Sequence, residues 1–345
     1  MSASPPVWQP SGDVLRAARE RIKPYILITP LLRAEMLDRG GLRVLLKAES
    51  LQRTGSFKVR GAFNALMQLA PEQRAKGVIT YSSGNHGQAL GLAAFNLGWA
   101  ERGSPYPCTV VMPEDANPLK VERTRAMGCE IVAAGHSTEE RKLKAVELAE
   151  RTGQAVIPSY DHPNIIAGQG TLGLEIMDQW MGLPTRTRRL RFVAGPVGGG
   201  GLMAGAASGL RVRGFPGPIY GVEPERADDT RQSLEKGERV TIPQPDTVCD
   251  GLRSVTPGAL TFPILQRCEV QLRTVTEAQV KETVVMLARE MKLVVEPSGA
   301  VAVAAWLFGQ LEPIAEQAAE AADVVLILSG GNIDPKLLGE WSGTG

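Results

Sequence analysis

Hydrophobic and polar positions divide the chain into two alternating kinds of segment. Short, nearly uncharged apolar runs read as strands: LRVLLKA (42–48), GVITYS (77–82), CTVVMP (108–113), LRFVAGPVG (190–198), PIYGVEP (218–224) and VVLILS (324–329). Between them lie longer stretches with helical spacing, including FNALMQLA (63–70), QALGLAAFNLG (88–98), TEERKLKAVELAERTG (138–153), TLGLEIMDQW (171–180) and VKETVVMLAREM (280–291). Repeated strand–helix units predict an α/β fold with parallel sheets covered on both faces, because only strands buried on both sides read as continuous apolar runs. The segment from about Gly77 to Ser159 holds three such units and could form a smaller lobe within a larger sheet. WAERGSPYPC (99–108), polar and rich in proline and glycine, reads as an extended surface loop.

Composition narrows the function. With 345 residues the chain can bury a large core, and 38 Lys+Arg against 37 Asp+Glu leaves a formal charge of +1. No basic tract and few aromatics accompany that balance, so a nucleic-acid partner is not expected and a small molecule is. Cys108, Cys129, Cys249 and Cys268 are far apart and form no CxxC pair, which suits a reducing cytoplasm and predicts neither a disulfide framework nor a zinc site. The first residues lack the basic start and apolar core of a signal peptide. The uncharged run Phe192–Leu210 contains seven glycines and a proline, so it reads as strand, loop and helix start rather than a membrane span.

Four loops at predicted strand-to-helix junctions carry candidate chemistry, where ligands of open α/β sheets bind. In SFKVRG (56–61) Lys58 falls where a helix begins, near a positive dipole end that disfavours the ammonium form and suits a nucleophilic amine. A solvated surface lysine is the plainer alternative. YSSGNHG (81–87) puts two hydroxyls, an amide and free N–H groups at a helix start, a cradle for a carboxylate. GPVGGGGL (195–202) places four consecutive glycines before a helix, where backbone N–H groups can close around a phosphate. That loop also satisfies the loose GxGxxA dinucleotide pattern through Gly199, Gly201 and Ala204, so the phosphate's identity stays open here. LSGGN (328–332) ends a strand and delivers Ser329 to the sheet's carboxyl edge.

Taken together, SFKVRGA, SSGNHGQA, GPVGGGGL and LSGGN resemble, in order and separation, the fold type II pyridoxal 5′-phosphate (PLP) enzymes that include threonine dehydratase and serine racemase. The resemblance runs from TPLLRAEMLD near residue 29 to SGGNID near residue 334. It implies a tryptophan synthase β-like architecture of two open α/β domains: a large PLP-binding domain of residues 1–76 and 160–345 and a small domain of residues 77–159. Lys58 would bind the cofactor covalently, Phe57 pack on its ring, Asn85 meet the ring hydroxyl, Gly198, Gly199, Gly200, Gly201 and Leu202 hold the phosphate, and Ser329 face the ring nitrogen. Ser82, Ser83, Asn85 and His86 would receive the substrate carboxylate. A serine opposite the ring nitrogen leaves it largely unprotonated and favours elimination or racemisation over transamination.

Further implications rest on the same resemblance. Glu223, Asp229 and the Ala227 carbonyl match a divalent-cation site, and oxygen ligands suit Mg²⁺, Mn²⁺ or Ca²⁺. CDGLRS (249–254) borders the substrate pocket, Glu296 lies near the ring, and Lys292 with Asn332 could admit ATP as an effector. A homodimer is expected. Only thirteen residues follow Asn332 (345 − 332), so no C-terminal regulatory domain is expected. The implied reaction is dehydrative deamination of L-threonine or L-serine to 2-oxobutyrate or pyruvate and ammonia. Racemisation, with Ser83 reprotonating the carbanion on the face opposite Lys58, is the nearest alternative; 3-hydroxyaspartate deamination, with Arg253 for the extra carboxylate, is another. A non-catalytic PLP- or nucleotide-binding protein is the rival from a different class, and the combination of Lys58, Ser83 and His86 argues against it.

Overall fold

The computed structural model describes residues 8–82, 84–116, 118–184, 188–311 and 321–343, with backbone alone at 118–120. Ten strands occur among them: β1 (Leu31–Arg33), β2 (Leu42–Ala48), β3 (Val78–Thr80), β4 (Cys108–Met112), β5 (Glu130–Ala133), β6 (Ala155–Val156), β7 (Arg189–Pro196), β8 (Ile219–Pro224), β9 (Val270–Val275) and β10 (Ala322–Leu328). Six form one sheet in the order β1-β2-β10-β7-β8-β9, and four form another in the order β5-β4-β3-β6. Every pairing is parallel except β1 with β2, as the continuous apolar runs require. All seven residues of β10, all six of β8 and all five of β4 are buried, whereas the edge strand β5 is not.

The helices on the large sheet pack at backbone contact. A Cβ on Gly173, in helix Pro163–Met181, would lie 2.1 Å from the Ala206 carbonyl, and one on Gly209, in helix Gly201–Val212, would lie 2.3 Å from that of Gly170. Helix Lys58–Met67 joins the two halves. It follows β2 of the large sheet, yet Val59, Phe63 and Leu66 pack with Val78, Leu90 and Val110 in the core of the small one. Its opposite side carries the fully buried Arg60, which donates to Glu49 at 2.7 and 2.8 Å and to Glu175 at 2.9 and 3.0 Å.

One segment departs from expectation. WAERGSPYPC is not loop throughout: helix Asn85–Arg102 continues through its first four residues and stops where Gly103 takes a left-handed φ of 73°. Trp99 through Arg102 have no helix-breaking residue among them, and glycine after the last turn is the ordinary stop signal. The carboxyl ends of β2, β3, β6, β7 and β10 then lead into the segments bearing Lys58, Asn85, Ser159, the tetraglycine loop and Ser329 respectively.

Candidate active site

Lys58 opens its helix, and the chain enters it pinned to the end of β10. The Phe57 N–H donates to the Ser329 carbonyl at 3.1 Å, and Ser56 forms a β-bridge with Gly330. The Lys58 amine donates to the Ser159 carbonyl at 3.0 Å and stands 5.1 Å from the centre of the Phe57 ring. It is therefore no solvated surface lysine. Burial lowers its pKa to about 8, against the opposing pull of the Glu296 carboxylate. The helix start was the cause expected from sequence; desolvation is the larger one.

The tetraglycine loop is boxed in from outside. A Cβ on Gly199 would meet the Tyr160 ring at 2.4 Å, and one on Gly201 would meet the Tyr160 Cβ at 2.7 Å. Gly200 caps helix Gly201–Val212 with φ of 90°, a conformation glycine adopts without strain. The Thr261 hydroxyl donates to the Gly199 carbonyl at 2.6 Å, and the Asp161 carboxylate receives the N–H groups of Ala259, Leu260 and Thr261 at 2.9, 2.8 and 3.3 Å. Carbonyls are thus engaged on the outside while amides gather at a helix start, as a phosphate cradle needs. Sequence reasoning missed Tyr160, Asp161 and Thr261, since only the close approach of side chain to glycine reveals them.

Asn85 is clamped from both sides. Its Nδ2 donates to Glu296 Oε1 at 2.7 Å, and its Oδ1 accepts from Asn332 Nδ2 at 2.8 Å, which also donates to the Thr54 carbonyl at 2.7 Å. The Asn332 amide is thus committed to Thr54 and Asn85. Ser329 is buried at the end of β10. Ser82 Oγ accepts the Gly84 N–H at 3.4 Å, and a Cβ on Gly84 would meet nothing within 4 Å, so the start of helix Asn85–Arg102 faces open space. Ser83 lies outside the described residues.

The His86 ring turns away from the expected role. Its Nε2 bonds the Ile157 carbonyl at 3.1 Å, and burial lowers its pKa to about 3, so the ring is neutral with its one proton directed at Ile157. What His86 can offer a carboxylate is its backbone N–H in the helix's first turn. Arg253 is exposed, and its Nε and Nη2 donate to the Thr247 carbonyl at 3.1 and 2.7 Å. Lys292 is exposed at a helix end and donates to the Arg289 carbonyl.

Glu223, at the end of β8, is fully buried and accepts the N–H groups of Thr230 and Arg231 at 3.1 and 2.9 Å. Asp229 is also fully buried, and neither of its oxygens has a hydrogen-bond partner among the described residues. Desolvation raises both carboxyls; repulsion from Asp229 adds to it at Glu223 and repulsion from Asp228 at Asp229, whose pKa rises to about 8. Ala227 is buried between them in sequence. No cluster of three or more metal-ligating side chains occurs among the described residues, so a cation here would draw on two carboxylates completed by carbonyls or water.

An amine of depressed pKa beside a glycine-lined anion cradle fits a phosphate-bearing carbonyl cofactor, and the sequence comparisons agree. The family model described as "Pyridoxal-phosphate dependent enzyme" matches residues 22–330. This chain belongs to the pyridoxal-phosphate dependent enzymes. Among its relatives in the family, the L-threo-3-hydroxyaspartate ammonia-lyase of Saccharomyces cerevisiae is 40% identical over 326 residues, covering 94% of both chains. The serine racemase of Schizosaccharomyces pombe is 36% identical, covering 94% of this chain and 95% of its own. Of solved structures, the threonine deaminase of T.th. superposes with a TM-score of 0.83 at 42% identity, covering 94% of this chain and 99% of that one. The residues present fit the family's cofactor: an amine of lowered pKa at Lys58, bare backbone at Gly198–Gly201 and the oriented Asn85 amide all follow the carboxyl ends of strands.

Proposed function

We propose that this chain is an ammonia-lyase acting on small L-β-hydroxy amino acids, threonine and serine first, releasing 2-oxobutyrate or pyruvate with ammonia. The observation that carries the reading is the half-buried Lys58, its amine bonded to Ser159, whose neighbour Tyr160 packs on the glycine loop. Lys58 would hold PLP covalently, Phe57 would lie against its ring, Gly198–Leu202 would hold its phosphate, Asn85 its ring hydroxyl and Ser329 its ring nitrogen. The cofactor, when bound, supplies an electron sink that lets the substrate's Cα–H bond break. Released as a free amine, Lys58 takes the Cα proton at Nζ, a role for which a pKa near 8 leaves enough neutral base. Ser82, Asn85 and the amides at the start of helix Asn85–Arg102 receive the substrate carboxylate, and Glu296 with Asn332 keeps the Asn85 amide from rotating. Ser83 is the second acid–base group, and proton return from it would give the D-isomer. Residues 77–159 act as a small domain; β3 to β6 all fall within this range.

A second reading, deamination of L-threo-3-hydroxyaspartate, draws support from two relatives of that name, at 40% and 39% identity. It needs a cation for the second carboxylate, and Arg253 must leave the Thr247 carbonyl to provide it. Supplying L-threonine, L-serine and L-threo-3-hydroxyaspartate separately, and scoring 2-oxo acid and D-isomer, decides among these. A rate with hydroxyaspartate far above the other two would overturn the first reading.

The unpartnered Asp229 oxygens beside Glu223 support a Mg²⁺-like cation held with the Ala227 carbonyl. The exposed Leu27, Ile28 and Leu51 lie together, since the Gln52 side chain bonds Leu27 at both its N–H and its carbonyl, and this apolar patch supports a homodimer. Four buried free thiols support a cytoplasmic setting, and no helix among the described residues is long and apolar enough to cross a membrane. A nucleotide effector falls outside this proposal because the Asn332 amide is committed to Thr54 and Asn85.

A further inference from the structure

The four-stranded sheet holds a pair of thiols that no step at Lys58 uses. β4 and β5 run parallel with Thr109 opposite Glu130 and Val110 opposite Ile131, so one residue earlier Cys108 stands opposite Cys129. Opposed residues on neighbouring strands point to the same face of a sheet. Here that face packs on helix Asn85–Arg102 through Leu90, Ala94 and Leu97, and both cysteines are buried against it. The Cys129 thiol donates to the Cys108 sulfur at 3.4 Å, across 21 positions of sequence.

A buried free cysteine is ordinarily a small hydrophobe. Two observations set this pair apart. Neighbouring strands bring opposed Cα atoms to about 5 Å, inside the window of about 4.4–6.8 Å that a disulfide spans. The sulfurs therefore need to close only from 3.4 Å to about 2 Å, by side-chain rotation with the strands in place. The helix also holds Cys129 against its partner: a Cβ on Gly91 would lie 2.4 Å from the Cys129 Sγ, so the thiol has no room to turn that way. Cys129 immediately precedes β5, the edge strand whose residues are exposed or half-buried, which gives a small oxidant its shortest approach. Cys249 and Cys268, by contrast, lie in separate hydrophobic clusters of the large sheet.

We propose that Cys108 and Cys129 form an oxidisable dithiol that closes reversibly to a disulfide when the protein meets a hydroperoxide. The bond from Cys129 and burial hold the Cys108 thiol well above the ordinary thiol range, so Cys108 keeps its proton and Cys129 meets the oxidant first. The Cys129 sulfur, as its thiolate, attacks the peroxide oxygen, releases the alcohol and becomes a sulfenic acid. Cys108 then gives up its proton and attacks that sulfur, expelling water. Two thiols and one hydroperoxide give one disulfide, one alcohol and one water, with two electrons passing from the sulfurs to the peroxide. The bridge ties β5 to β4 beneath the helix that opens with Asn85, six residues before Gly91. It is independent of the reaction at Lys58.

Incubating the folded, PLP-loaded protein with tert-butyl hydroperoxide, quenching, and titrating thiols in denaturant tests this. The count should fall from four to two, the chain should lose the mass of two hydrogens, and the peptides bearing Cys108 and Cys129 should appear joined. Dithiothreitol should restore all four thiols. The double variant Cys249→Ser/Cys268→Ser keeps the pair and should lose both remaining thiols, whereas Cys129→Ser should form no bridge within the chain. The parent's peptide map decides the matter even where a serine variant folds poorly. Four thiols persisting in the folded parent, a bridge that forms only after denaturation, or one that joins other cysteines or two chains, overturns the proposal.

Discussion

The Lys58 amine donates its hydrogen bond to the backbone carbonyl of Ser159, tying the first residue of a helix that follows the six-stranded sheet to the segment that leaves the four-stranded one. The amine therefore sits where the two halves of the molecule meet. Its position responds to any change in how helix Lys58–Met67 is anchored on either side.

Replacing this amine should remove cofactor attachment and proton transfer together. The parent protein supplied with PLP is expected to show a visible absorbance band that borohydride abolishes, and Lys58→Ala to show none. Formation of 2-oxo acid should fall by roughly 10³-fold or more in the variant. Attachment of PLP to the cofactor-free protein requires the neutral amine, so its rate should rise with pH and level off above about pH 8, where Lys58 has lost its proton.

The glycine positions make opposite predictions. Gly199→Ala drives a methyl into the Tyr160 ring, which cannot yield freely, and should cost about 1–3 kcal/mol of stability and weaken PLP binding. Gly84→Ala meets open space and should leave the melting temperature within a degree or two while raising KM, because the methyl would enter the proposed carboxylate-binding region. Thermal unfolding paired with steady-state kinetics separates the two effects.

Asp229 gives a pH-dependent stability whose sign can be worked out. Its folded pKa of about 8 lies above the ordinary carboxylate value, so the unfolded chain releases this proton first and stability falls as pH rises from about 4 to 8. A divalent cation binds the ionised pair, so Mg²⁺ or Mn²⁺ should raise the melting temperature more at pH 8 than at pH 6. Asp229→Asn should flatten the pH dependence and abolish the metal response. Equal melting temperatures with and without chelator at pH 8 would count against the cation.

His86 acts in the acid range. With a folded pKa near 3 against an ordinary value of 6.5, its contribution is complete above about pH 6.5 and is lost as pH falls towards 3, at about 1.4 kcal/mol per pH unit at most. His86→Gln should be less acid-sensitive than the parent in denaturant titrations at pH 5 and pH 7.

Arg60, two residues beyond Lys58, should be intolerant of truncation. Arg60→Met leaves Glu49 and Glu175 buried without their shared cation and should cost on the order of 3–5 kcal/mol. Chemical denaturation measures this directly.

The chain by itself determined the alternation of apolar strand and amphipathic helix, hence the parallel α/β architecture, and it determined which loops carry Lys58, Asn85, the four glycines and Ser329. These are local signals: burial on both faces dictates continuous apolar runs, and a strand-to-helix junction dictates where free amides and reactive side chains emerge. Helix length was less legible, as Trp99–Arg102 shows, because polar residues on a solvent-facing turn resemble a loop. Only the tertiary structure decided that desolvation rather than the helix start lowers the Lys58 pKa, that the His86 proton points at Ile157, and that Tyr160 is what forbids side chains at Gly199 and Gly201. Each of these depends on residues far apart in sequence: 101 positions separate Lys58 from Ser159, and 71 separate His86 from Ile157. Proximity across such spans is set by packing, and a carbonyl or a ring face leaves no mark in the one-dimensional pattern.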